Sequence, residues 1–170
     1  MRITVNGDEL EVRSPGLTSL LRVRRDEFDV VGPKAGCEAG GCGACTVMID
    51  GTPRRSCLTA VAAIDGAQVT TVEGLGAADD LSPVQQAFVH YYAAQCGFCT
   101  PGMVVAATHY LDSGGSDDRE EIQEALQGHM CRCTGYVKII EAVASARTGN
   151  FDLTTTAEGG YTTVMTGEAS

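Results

Sequence analysis

The stretch from Lys34 to Cys45, KAGCEAGGCGAC, constrains this chain more than any other. Cys37, Cys42 and Cys45 stand in a C-x4-C-x2-C pattern, and Cys57 follows after eleven intervening residues. That spacing wraps a loop around a 2Fe–2S cluster and offers it four thiolates. The bridging sulfides carry negative charge that backbone N–H groups must meet. Gly36, Gly40, Gly41 and Gly43 permit the close approach and left-handed torsions such wrapping needs. A structural zinc loop and a disulfide framework are the alternative uses of the same cysteines.

A chain of 170 residues fits one domain or two small ones and can bury real cores. Its net charge of −10, from 12 basic and 22 acidic residues, leaves no basic patch for phosphates and argues against a nucleic-acid partner. The plain reading of that acidity is solubility. No apolar run reaches the length of a membrane span. The opening MRITV alternates like a strand and lacks a signal peptide's apolar core, and Arg24-Arg25 lies too far in for a twin-arginine leader. A cytoplasmic location is expected. Thiols stay reduced there, so eight cysteines suggest metal rather than disulfides.

Arg2 to Val5 and Glu9 to Val12 alternate across Asn6-Gly7, which predicts a hairpin. Thr18 to Val23 predicts a short helix. Ala44 to Ile49 and Thr52 to Ser56 read as strands about an Asp50-Gly51 turn, and Gln68 to Val72 as a closing strand. This is an α+β unit of the ubiquitin-like β-grasp kind. After a linker at Gly74 to Leu81 the pattern changes. Ser82-Pro83 opens a helix to about Ala94, with Val84, Phe88, Tyr91 and Tyr92 near one face. Thr100-Pro101 opens a second through Leu111, and Asp117 with Glu120 caps a third that Gly128 stops. Thr134-Gly135 starts a fourth through Ala146. These predict an all-α four-helix bundle. The expected divisions are residues 1–76, 77–148 and a tail at 149–170, extended or poorly ordered without a partner surface.

The helical part carries a second cysteine set. Cys96-Gly-Phe-Cys99 falls between the first and second helices, and Cys131-Arg-Cys133 between the third and fourth. A thioredoxin-type pair would need a preceding strand in a βαβ unit, which is missing here. Four thiols at facing helix turns suit zinc or iron–sulfur equally. A chain that already carries one cluster favours a second, and all eight cysteines are then used.

The ordered run KAGCEAGGCGACTV, SCLT, TVEGL, SPVQQAF, QCGFCTPGM and CRCTGY resembles the two-cluster iron–sulfur subunit of the xanthine oxidase family of molybdenum hydroxylases. The resemblance covers roughly residues 1 to 147. It implies a plant-ferredoxin-like domain followed by a four-helix domain, each with one 2Fe–2S cluster. It also implies a large subunit with molybdopterin, a medium subunit with FAD and a dimer of heterotrimers of the bacterial type.

By that resemblance Cys37, Cys42, Cys45 and Cys57 ligate the flavin-proximal cluster. Cys96, Cys99, Cys131 and Cys133 ligate the molybdenum-proximal one. Gln95 and Cys133 would contact the pterin. His129 and Met130 depart from the amide and aliphatic residue common before Cys131, which leaves the tuning of that cluster open. His90 and His109 read as packing or surface residues. The implied function is a relay of single electrons from molybdenum through both clusters to FAD, with no catalytic residue on this chain. The Glu-Ala-Gly-Gly spacer between Cys37 and Cys42 looks more like purine, N-heteroaromatic or aldehyde oxidisers than carbon monoxide dehydrogenases. A carbon monoxide dehydrogenase small subunit, a stand-alone two-cluster carrier and a zinc-stabilised interaction module are the alternatives.

Overall fold

Two short hairpins form first in the local logic of the chain. β1 (Arg2–Val5) and β2 (Asp8–Glu11) pair antiparallel about Asn6 and Gly7, both at positive φ as a tight two-residue turn requires. β3 (Thr46–Ile49) and β4 (Thr52–Arg55) repeat the device about Asp50 and Gly51. β5 (Gln68–Thr70) joins the hairpins, parallel to β1 and antiparallel to β3, in a five-stranded sheet ordered β2-β1-β5-β3-β4. The computed structural model describes residues 1–149, 152–155 and 161–164.

α1 (Leu20–Asp26) is capped by the Ser19 side chain and buries Leu20, Leu21 and Val23. Leu20 and Val23 share a core with Ile3, Val5, Val47, Ile49 and Val69 from the sheet and with Val61 from the short turn between β4 and β5. A mixed sheet carrying one helix agrees with the α+β expectation.

α2 (Pro83–His90), α3 (Thr100–Asp112), α4 (Arg119–Leu126) and α5 (Val137–Thr148) follow. Val84, Phe88, Met103, Ile122, Leu126 and Ile139 belong to their common core. Ser82 and Gln85 close a reciprocal capping box at the start of α2, as their spacing predicts. Other caps sit one to three residues from their expected places. Asp118, not Asp117, caps α4, accepting from the N–H groups of Glu120 and Glu121. α5 begins after Tyr136 at φ +68° rather than at Thr134-Gly135.

α2 stops at His90, four residues short of the predicted end, because Tyr92 takes φ +52° and turns the chain. Tyr92 is therefore 79 % exposed and leaves the face it was expected to share with Val84 and Phe88. Tyr91 stays partly buried and donates its hydroxyl to Ser145 Oγ at 3.0 Å. In the tail, β6 (Asp152–Thr155) and β7 (Tyr161–Val164) pair antiparallel. The remaining tail positions lie outside the described residues.

α3 packs against the β3–β4 hairpin, and the contact is backbone on backbone. A Cβ on Gly102 would stand 2.3 Å from the Gly43 carbonyl oxygen. Arg55 bolts the same seam. Its guanidinium donates to Thr46 Oγ1 at 2.6 Å and to the Gly128 carbonyl at 2.7 Å. His129 Nε2 lies 3.0 Å from Thr46 Oγ1, whose own proton goes to the Gly43 carbonyl at 2.7 Å. Nε2 is thus assigned as the donor, which gives the threonine oxygen one donated and two accepted bonds.

Candidate metal centres

The first cysteine set lies on the loop before β3 and just after β4, so the hairpin fixes both its ends. Gly40 and Gly43 take the left-handed torsions anticipated there, at φ +82° and +78°. The N–H groups of Ala39 and Cys42 each point at Cys37 Sγ from 3.4 Å. Those backbone dipoles pull the Cys37 thiol down to about 6. Cys57 goes the other way, to about 11, through burial and the neighbouring Cys45 thiol.

The second set is built at two helix turns. Cys99 is the N-cap residue of α3 and is buried against the helical core. Burial and the Cys131 thiol push it up to about 12. Cys131 is held by local bonds. Its N–H donates to the Tyr136 hydroxyl at 2.8 Å, which donates onward to the His129 carbonyl at 3.2 Å. Burial works upward on the Cys131 thiol, but the Thr134 hydroxyl and nearby backbone N–H groups outweigh it and the net direction is down. Such outer contacts orient ligands before any metal arrives.

Among the described residues, no group of three or more His, Cys, Asp or Glu side chains closes around a single ion. The thiols stand in pairs instead. The side-chain contacts run from Cys37 to Cys42, Cys45 to Cys57 and Cys99 to Cys131, with weaker charge effects across the pairs. Cys133 Sγ and Cys96 Sγ are 3.5 Å apart. A tetrahedral zinc site needs four thiolates converging on one point, whereas a two-iron rhomb takes two at each iron. The paired arrangement fits two-iron clusters.

The second set meets the first at Cys42. A cavity of about 200 Å³ is lined by Cys42 and Ala44 on one side and by Cys96, Cys99, Cys131 and Cys133 on the other. Met130 N–H donates to the Cys42 carbonyl at 2.9 Å, a direct backbone bond from one cysteine loop to the other.

A family model described as a 2Fe-2S iron-sulfur cluster binding domain matches residues 3–71. A second, described as a [2Fe-2S] binding domain, matches residues 71–144. The nicotine 6-hydroxylase small subunit of Paenarthrobacter nicotinovorans is 46 % identical over 85 % of this chain and 87 % of its own length. This chain belongs to the small iron–sulfur subunits of the xanthine oxidase family.

A solved member of that family agrees in shape. The crystal structure titled quinoline 2-oxidoreductase from Pseudomonas putida 86 matches with a TM-score of 0.81 and 40 % identity, over 88 % of this chain and 97 % of that one. The aldehyde oxidoreductase of Megalodesulfovibrio gigas is 44 % identical over 85 % of this chain, which spans only 16 % of that protein's length.

Within a small iron–sulfur subunit, the remaining candidates fall as follows. Gln95 is exposed, beside exposed Cys96. His129, flagged in the sequence only as a departure, is buried at the seam with Thr46 and Arg55. Burial, with a smaller contribution from Arg55, lowers its pKa to about 4, so the ring is neutral. His90 lies on α2 with its ring 4.9 Å from that of Tyr91, and His109 lies on α3. The fully buried Arg24 and the seam residue Arg55 are the functional surroundings that sequence reasoning missed. Nothing in RRD or PRRS distinguishes a buried arginine from a solvated one.

Proposed function

We propose that this chain is the electron-relay subunit of a molybdenum hydroxylase, passing single electrons between a molybdopterin-bearing large subunit and an FAD-bearing medium subunit. The observation that carries the reading is the pair of four-thiol sets, with all four thiols of the second and Cys42 of the first lining one cavity. Cys37, Cys42, Cys45 and Cys57 are the ligands of the flavin-proximal cluster. Cys96, Cys99, Cys131 and Cys133 are the ligands of the molybdenum-proximal one. When bound, the clusters supply one-electron redox steps over a range set by hydrogen bonds and burial. The chain's part is to present thiolates, aim N–H groups at sulfur and hold the two loops at one separation. It offers no acid, base or nucleophile for substrate chemistry. The substrate, a purine, N-heteroaromatic or aldehyde, would bind the large subunit.

The finer assignments follow from the same reading. Residues 1–76 form the ferredoxin-like domain, residues 77–148 a four-helix bundle, and residues 149–170 a C-terminal tail. The assembly is a dimer of heterotrimers located in the cytoplasm. Among the described residues, no helix is long and apolar enough to cross a membrane.

Metal analysis tests the reading. About four irons and about four acid-labile sulfides per chain are expected, with two distinguishable rhombic EPR signals after dithionite reduction. Zinc without sulfide would instead mean an interaction module. Isolation with both clusters but no larger subunits, from cells expressing the neighbouring genes, would mean a free carrier.

Gln95 stands at the exposed edge beside Cys96, where its amide can donate to and accept from a pterin. Gln95→Ala is expected to keep both clusters while lowering molybdenum occupancy of the complex. In a dry interface an unpaired polar group costs about 1–3 kcal/mol, a loss of roughly tenfold in retention. Unchanged molybdenum content would leave Gln95 as no more than an exposed residue of the loop between α2 and α3.

A further inference from the structure

Arg24 is the largest side chain that the structure buries completely. A buried guanidinium is unfavourable unless an anion or a full set of acceptors meets it. Here the acceptors are two backbone oxygens, Val30 at 2.5 Å from Nη1 and Pro33 at 2.6 Å from Nη2. Nε finds no partner. Among the described residues no carboxylate lies at ion-pair distance from it. Burial lowers its pKa to about 10, so the group stays charged at neutral pH. A buried, unpaired cation in this position asks for an anion.

The hydrogen bonds lead from Arg24 toward the first cysteine set. The Pro33 carbonyl shares a peptide unit with the Lys34 N–H, which donates to the Ala44 carbonyl at 2.8 Å. Ala44's carbonyl in turn shares a peptide unit with the N–H of Cys45. Two peptide dipoles therefore lead from the guanidinium to the backbone N–H of Cys45, a residue of the first cysteine set, and such chains polarise one another in a low-dielectric interior. The Cys45 thiol is itself among the charges Arg24 feels. A 2Fe–2S cluster with four thiolates is an anion, and each electron it takes makes it more so. Glu73 is the stronger opposite charge acting on Arg24, ahead of Cys45. Its carboxylate holds Gly32 N–H at 2.6 Å and the Thr71 hydroxyl at 2.5 Å, and its charge acts on Arg24 through space.

We infer that Arg24 is the buried counter-charge of the ferredoxin-like cluster and holds its reduction potential up, with Glu73 as the opposing charge. The inference rests on the two-cluster reading above. Arg24 acts as a positioning and tuning residue, since it touches no ligand atom directly.

The test is redox potentiometry of the full-length, cluster-loaded chain, followed by EPR, with the signal absent from Cys42→Ser protein taken as that of the ferredoxin-like cluster. Arg24→Met should shift its reduction equilibrium at least tenfold toward the oxidised form, about 59 mV downward for a one-electron couple. Arg24→Lys, which keeps the charge, should stay within threefold of wild type. Glu73→Gln should shift the same cluster in the opposite direction. The other cluster's equilibrium should move less in all three, and the Arg24→Met difference should survive high salt because that charge is buried. An unchanged Arg24→Met equilibrium, or equal shifts at both clusters, overturns the inference. Should Arg24→Met lose the cluster, the lysine and Glu73→Gln proteins decide. A retained potential with an upward Glu73→Gln shift supports the inference, and a flat or downward Glu73→Gln result overturns it. Wild-type protein without iron signals would defeat the parent reading instead.

Discussion

Cys99→Ser protein is expected to hold about two irons per chain in place of about four, and to lose the EPR signal of the helical part alone. A serine hydroxyl does not ionise at neutral pH, so its oxygen cannot replace the thiolate. The consequence reaches beyond redox. Cys99 is the N-cap of α3 and belongs to the core shared with Met103 and Ile139. Its pair partner Cys131 is tied through Tyr136 to the start of α5. A group bound here therefore staples the start of α3 to the turn before α5, and its binding energy is also folding energy. Thermal unfolding followed by helical circular dichroism should show the helices melting earlier, by an amount far above an ordinary point mutation. Capture of the large subunit should fall with it. Normal assembly with only a shifted potential would show that the cluster is a passenger in the helical part.

Gly102→Ala is expected to destabilise the chain, although alanine is the better helix former by about 1 kcal/mol. Propensity loses because of what lies outside the helix. The new methyl group would sit 2.3 Å from the Gly43 carbonyl oxygen and 3.3 Å from Ala44 Cα. Both are backbone atoms of the cysteine loop, and neither can swing aside as a side-chain tip would. Gly43 is itself at φ +78° against the Gly128 carbonyl and His129. The seam must open by about an ångström, and overpacking of this kind costs about 1–3 kcal/mol, or more where backbone must move. The dipolar coupling between the two reduced clusters should weaken, because their separation grows. Both clusters should still form. Wild-type stability with unchanged coupling would mean that the seam is not what fixes their separation.

The cysteine sets were legible because their spacing is covalent information. Four thiols and three small turns leave few arrangements. Both hairpins were legible for a related reason, since Asn6-Gly7 and Asp50-Gly51 encode positive φ locally. Tyr92 was not. Its left-handed torsion follows from how the chain turns into Cys96, and a tyrosine in a helical pattern carries no sign of it. Arg24 and His129 were hidden for a deeper reason. Arg24 sits in a run of charges that reads as a wet surface, and becomes a buried group only when residues 30–33 fold over it. His129 gains its partners across 83 residues, and no local pattern reports contact at such a range. Long-range polar contacts are written in the tertiary fold, not in periodicity.

The order of strands in the sheet bears on how a nascent chain matures. β1 is made first, yet it pairs on one side with β5, which ends at Thr70. All four thiols of the first set have therefore left the ribosome before their sheet can close. The bolt from Arg55 to Gly128, and the bond from Met130 to Cys42, wait longer still. During synthesis the first loop is thus displayed before the helices that later pack beside Cys42 and Gly43 exist. Cys96 and Cys99 emerge next and must stay reduced until Cys131 and Cys133 arrive to complete their set. The seam between the two cysteine loops is thus the last part of the fold able to close.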